Sequence, residues 1–218
     1  MNERSFSPRP VYPSSVALSS RPAADKADKA DKRSAILAAA LRLIARSGLH
    51  NTPMAAIARE AGVAAGTLYL YFPSKEAMVN ALYLDLIQDR DRAYLAELDA
   101  IDDPTAGPAE STWRIWHALA RWHLDRPDAS NLIHQCRASG ILTDETRAAE
   151  ARDQAARLPL FRDAIAHGQL RELSQQVFWA LFAGPILALV QMRDAGEIDV
   201  DDDVLRATFD GVCRSVLP

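Results

Sequence analysis

The sequence predicts an all-α protein of about nine helices, and three observations carry that prediction. Apolar residues recur three and four apart through most of the chain, the spacing that puts side chains on one face of a helix. Capping residues and glycine or proline breakers punctuate those runs at intervals of about one helix. No stretch shows the strict alternation of a half-buried strand.

Taken in order, residues 1–31 are rich in Ser, Pro, Ala, Asp and Lys and end in ADKADKADK, which reads as a flexible, solvated arm whose lysines and aspartates nearly cancel. A first helix is expected over 32–47, with Ile36, Ala40, Leu43 and Ile44 inward and Gly48 just past its end. A short second helix should span 53–60, with Thr52 as N-cap, Pro53 at the first helical position, and Ile57 and Ala58 inward. Gly62 can take a positive φ at the tight turn that follows, and Val63 plugs the space between the helices. A third helix starts near residue 65, with Leu68 and Phe72 four apart on its inner face. Ser74 then caps a long helix over 75–98.

Beyond a breaker-rich loop at 102–108, a helix over 112–126 is expected, capped by Ser111 and ended by Pro127. Its Trp113, Trp116, Ala120, Leu124 set and its Ile115, Leu119, Trp122 set are both apolar, and only Arg114, Arg121 and Asp125 form a polar strip. Such a helix must be buried on most sides. Further helices are expected over 129–139, over 145–167 with a break at Pro159, over 175–195 behind the Ser174 cap, and over 202–217.

The 218 residues suffice for one or two domains, and 49% hydrophobic content supports a sizeable core. The formal net charge of -4 is unevenly placed. Residues 1–80 hold eleven Lys/Arg against six Asp/Glu, a net +5, which leaves fourteen against twenty-three, a net -9, for 81–218. A basic head on an acidic body would orient the molecule on a polyanion. Cys136 and Cys213 lack metal-type spacing and read as free, mostly buried thiols in a reducing compartment. The N-terminus has no apolar signal region, which implies a cytoplasmic protein, and the longest apolar run, 177–190, is short for a membrane span and contains Gly184-Pro185. No nucleophile elbow, phosphate-cradling glycine loop, HExxH or dinucleotide fingerprint occurs, so an enzyme is not expected, nor a cofactor or a metal.

The ordered set Ile57-Ala58, Ala61-Gly62-Val63, Gly66, Leu68-Tyr69, Tyr71-Phe72 and Lys75 is more specific than any of this. Over residues 33–78 the chain resembles the helix-turn-helix DNA-binding module of the TetR family of bacterial transcriptional regulators. The resemblance implies a DNA-binding domain over 32–78 and an effector-binding and dimerisation domain over 79–218. It also implies that Gly66, Thr67, Tyr69 and Tyr71 line the recognition helix, that Thr52 contacts phosphate at a helix start, and that Lys75 meets phosphate. Helix N-termini and tyrosine hydroxyls are ordinary phosphate partners. Ala64 and Ala65 occupy DNA-facing positions too, but depart from the family's capping serine and from its usual polar or basic residue.

For the body the resemblance implies architecture rather than a ligand. An enclosed apolar cavity with a few polar groups would draw on Trp113, Trp116, His117, His123, His134, Gln135, Cys136 and Phe161, and would hold an uncharged or weakly polar organic effector near the two tryptophans. The six-residue separation of His117 and His123 argues against a metal site. Phe178, Leu181, Phe182 and Leu189, with Leu205 and Phe209, are the expected dimer contacts in a four-helix bundle between two subunits. The expected protein is thus a homodimeric repressor on a near-palindromic duplex operator, released by a small molecule and needing no membrane. A regulator that ignores ligands, answers to a protein partner or activates transcription stays open.

Overall fold

The structure is a computed structural model that describes residues 21–100 and 107–218. The described residues form nine helices and no strand: α1 (Arg21–Ser47), α2 (Met54–Glu60), α3 (Ala65–Tyr71), α4 (Lys75–Asp99), α5 (Pro108–Asp125), α6 (Pro127–Ser139), α7 (Asp144–Ala166), α8 (Gln175–Asp194) and α9 (Asp202–Val216).

Side-chain caps set several of the boundaries. Backbone amides donate to the side-chain oxygens of Ser74, Thr143, Ser174 and Asp201 at the starts of α4, α7, α8 and α9. Each cap satisfies one amide that the first helical turn leaves without a partner. Besides α2, taken up below, three starts differ from expectation. Helix α1 begins at Arg21, so residues 21–31 are helical rather than a free arm, while 1–20 lie outside the described residues. Alanine has the highest helix propensity, and the Asp-Lys repeat places opposite charges one turn apart, as in the Asp28–Lys32 pair. Helix α5 starts at Pro108 behind Gly107, so Ser111 is an internal residue and not a cap. Proline needs no amide partner at that position. Pro127 opens α6 in the same way, two residues earlier than expected. Residues 102–106 of the expected loop lie outside the described residues.

Two apolar clusters organise the molecule. The first joins α1, α2, α3 and the first half of α4 through Ile36, Ile44, Ile57, Leu68 and Met78, and it continues into the body through Trp122, Leu132, Ile133 and Cys136. The second joins α5, α8 and α9 around Trp116, Phe182, Ile186, Leu205 and Phe209. The N-terminal head therefore shares its core with α6. Arg33 adds a bidentate pair with Asp85, at 2.7 and 3.1 Å, that fastens α1 to α4.

Helices α7 and α8 run through Pro159 and Pro185 without ending. At twenty residues α8 is longer than the apolar run within it, and by length and composition it could cross a bilayer. Its Phe178, Phe182 and Ile186 are instead buried in the second cluster with residues of α5 and α9.

Candidate nucleic-acid interface and interior cavity

The head places a short helix on the surface by burying one side of it. Gly62 has φ 68°, and Val63 N–H donates to the Ala58 carbonyl at 2.9 Å, which closes α2 and turns the chain toward α3. Leu68 is fully buried and Phe72 nearly so, which fixes the rotation of α3 about its axis. The opposite side carries Ala65, Gly66, Tyr69 and Leu70 to solvent, with Thr67 and Tyr71 half-buried at the flanks and Ala64 exposed just before the helix. Tyr69 is 52% exposed and Leu70 86%. Leu70 was not anticipated, although its four-residue spacing from Gly66 and its position opposite Leu68 and Phe72 put it in the middle of the outer face.

The first turn of α2 differs from expectation. Thr52 is 2% exposed, and its hydroxyl donates to the Gly48 carbonyl at 2.9 Å, with the Leu43 carbonyl at 3.4 Å. Pro53, in extended backbone, holds the N-cap position without a side-chain bond. Thr52 thus stitches the end of α1 to the loop, and its hydroxyl is neither the cap nor an available phosphate partner. Lys75 donates to the His50 carbonyl at 3.2 Å, and partial burial holds its ammonium pKa below the ordinary lysine value. Lys75 is the first residue of α4, four residues after the end of α3.

The body contains a cavity of about 410 Å³ between α4, α5, α6, α7 and α8. Leu119, Ile133, Trp179, Ala183 and Leu187 give it an apolar side. Arg90, Tyr94, Arg137 and Arg157 give it a polar one, together with His123 and His134. Of the expected pocket residues only these two histidines line it. His123 is buried with Nδ1 2.8 Å from Ser130 Oγ, and burial, reinforced by the charges of Arg90 and Arg137, pushes its pKa down to about 4. Its ring is therefore neutral at neutral pH.

The other expected pocket residues serve elsewhere. Trp116 is 0% exposed and donates through Nε1 to the Phe182 carbonyl at 2.7 Å, deep in the second cluster. Trp113 stacks on Trp116 and lies under the Arg206 guanidinium, 4.5 Å from its ring centre. His117 faces Asp202 across 3.4 Å, and Phe161 packs on Phe178. Cys136 is enclosed in the first cluster, where burial raises its thiol to about 11 and keeps it protonated, and Gln135 is exposed. Apolar helical spacing marks Trp113, Trp116 and Phe161 as inward-facing but cannot separate a filled core from a hollow one. Residues 130, 133, 134 and 137 share one face of α6 and all line the cavity, a pattern readable only once that face is known to be open.

The expected dimer contacts divide in the same way. Phe178, Phe182, Leu189, Leu205 and Phe209 are buried in the monomer's own second cluster. Leu181 alone among them is exposed, at 36%, and it belongs to an outer stripe of α8 with Val177, Ala188 and Met192. Helix α8 is apolar on all sides, so periodicity did not tell its core face from its outer one.

Comparison with known proteins matches the head. A family model described as bacterial regulatory proteins, tetR family, covers residues 36–82. An uncharacterised HTH-type transcriptional regulator of Haemophilus influenzae is 25% identical over 86% of this chain and 97% of its own length. A crystal structure of a TetR family transcription regulator from Marinobacter aquaeolei superposes with a TM-score of 0.74 at 26% identity, covering 88% of this chain and 98% of that one. A putative tetR family regulator from Shewanella superposes with a TM-score of 0.67 at 28% identity, over 85% and 97%.

Proposed function

Because this chain belongs to the TetR family of bacterial transcriptional regulators and is a DNA-binding protein, we propose that it is a homodimeric repressor whose operator is released when a small molecule enters the body cavity. The carrying observation is the double role of α6. Ile133 lines the cavity and also packs in the cluster that holds α1, α2 and α3. A ligand that displaces α6 displaces the support of the DNA-reading head, and packed cores respond to such shifts by moving as units. The coupling is reciprocal, so operator DNA weakens the ligand by the factor by which the ligand weakens DNA, typically about 5 to 150-fold. The presence of the cavity favours this reading over a regulator that ignores ligands. The outer α8 stripe of Val177, Leu181, Ala188 and Met192 is the proposed seam between two subunits, the small Ala188 allowing close helix approach.

On DNA, Lys75 is a phosphate contact, and Ala64, Ala65, Gly66, Thr67, Tyr69, Leu70 and Tyr71 form the surface that enters the major groove. Leu70 has no polar atom to offer a base and fits the one apolar group there, the thymine methyl. Two variants test these assignments by fluorescence titration on a bound duplex. Lys75→Ala should weaken binding to every sequence and reduce the salt slope by about one. Leu70→Ala should cost about 1 kcal/mol, and substituting uracil for the contacted thymine should cost the wild type the same while leaving the variant unaffected. Unchanged affinity of Lys75→Ala at low salt, or equal uracil sensitivity in both proteins, would remove the corresponding side chain from the interface.

A further inference from the structure

The charge lining the cavity points to the chemistry of its occupant. Arg90 Nη2 lies 2.7 Å from one oxygen of Asp91 and Arg157 Nη2 lies 2.6 Å from the other, so two guanidinium groups share one buried carboxylate. Asp153 is a second carboxylate near Arg157, close enough to help raise its pKa. Arg157 also donates to the Tyr94 hydroxyl at 3.0 Å, which places it beside the Trp179 ring that packs on Tyr94. Arg137, which reaches Glu150 and the Tyr83 hydroxyl, is neutralised within its own pair. Neither Asp91 nor Glu150 lines the cavity, and no other Asp or Glu does so among the described residues. The wall therefore presents arginine side chains and no carboxylate, and the neutral His123 adds no charge.

We propose that the cavity takes an organic monoanion, a carboxylic acid with an apolar body, with its carboxylate against Arg90 and Arg157 and its body along Trp179, Ala183 and Leu187. This rests on the cavity being the effector site and replaces the uncharged ligand that the sequence suggested. An organic cation would meet arginine without a facing carboxylate. A neutral apolar molecule would fill the α8 side and leave the guanidinium donors facing it without acceptors, at a cost a carboxylate does not incur. The volume lies within the range of about 300 to 1,000 Å³ usual for small-molecule sites.

The test is calorimetric titration of the full-length protein with n-alkanoates from hexanoate to tetradecanoate below their micelle concentrations. The methyl ester and the primary amine of each chain length are titrated alongside. The carboxylate of the best-fitting length should bind at least about tenfold more tightly than its ester or amine, the usual scale of a charge-assisted hydrogen bond. Arg157→Met leaves Asp91 paired with Arg90 and should equalise acid and ester. Arg157→Lys should restore part of the preference, and Leu187→Trp should abolish binding of both while circular dichroism reports an intact helical fold. An ester or amine that binds as tightly as the acid overturns the anion inference and leaves the effector site standing. Binding that Leu187→Trp does not reduce places the acid elsewhere and overturns the inference as well. If no member of any series binds, the effector reading falls and takes this inference with it.

Discussion

Trp116→Ala is expected to destabilise the protein by about 3 to 5 kcal/mol, the usual loss when a fully buried tryptophan is truncated. The indole is completely enclosed, stacks against Trp113, packs against Phe209, and gives its N–H to the Phe182 carbonyl. Removing it leaves a large cavity between α5, α8 and α9, where three rigid helices meet and collapse is limited. Urea unfolding at matched protein concentration measures the loss, because any dimerisation links stability to concentration. Trp116→Phe keeps most of the volume and should cost much less. Trp179→Ala, at a half-buried residue on the cavity wall, should also cost less in stability and act on ligand affinity. A Trp116→Ala protein of unchanged stability and altered ligand affinity would return this residue to the binding site.

The second large effect is expected on assembly. Leu181→Asp places a charge in the middle of the outer α8 stripe, where the monomer leaves the side chain exposed. The variant should sediment as a helical monomer. Its operator affinity should fall by about 100-fold or more, because two linked heads gain on the order of 10² to 10⁴ over one. The same charge at Phe182 or Leu189 enters the second cluster and should unfold the body instead. A dimeric Leu181→Asp protein with full operator affinity would place the subunit contact on another face.

The contrast between those positions shows where the sequence is informative. The head was legible because its roles follow from spacing within one short segment: Gly62 turns the chain, Leu68 and Phe72 face inward, and Tyr69 consequently faces out. The Ser74 and Ser174 caps were legible for the same reason, since a cap acts on an amide three residues away. Thr52 was misread because its hydroxyl has a stronger local alternative. The end of α1 offers it buried carbonyls, a long-range fact that the capping pattern does not contain. The body was legible only as helices. Its cavity is bounded by five helices brought together from residues 90 to 187, and whether Arg90 or Trp116 faces the hollow depends on how those helices pack. Helix α8 illustrates the limit, since one side meets the core through Phe182, another meets the cavity through Trp179 and Ala183, and a third is the outer stripe at Leu181. All three are apolar or small, so periodicity could not assign them.

The central claim is that two copies of this chain read DNA together through their α3 surfaces. Selection of bound fragments from random duplex DNA, sequenced after several rounds with the wild type and with Leu181→Asp, tests it most directly. The account predicts that the wild type enriches an inverted repeat whose half-sites are centred about 10 to 10.5 base pairs apart or a multiple of that, and that Leu181→Asp fails to enrich it. Enrichment of a single unrepeated motif by both proteins, or of no motif by the wild type, would contradict it.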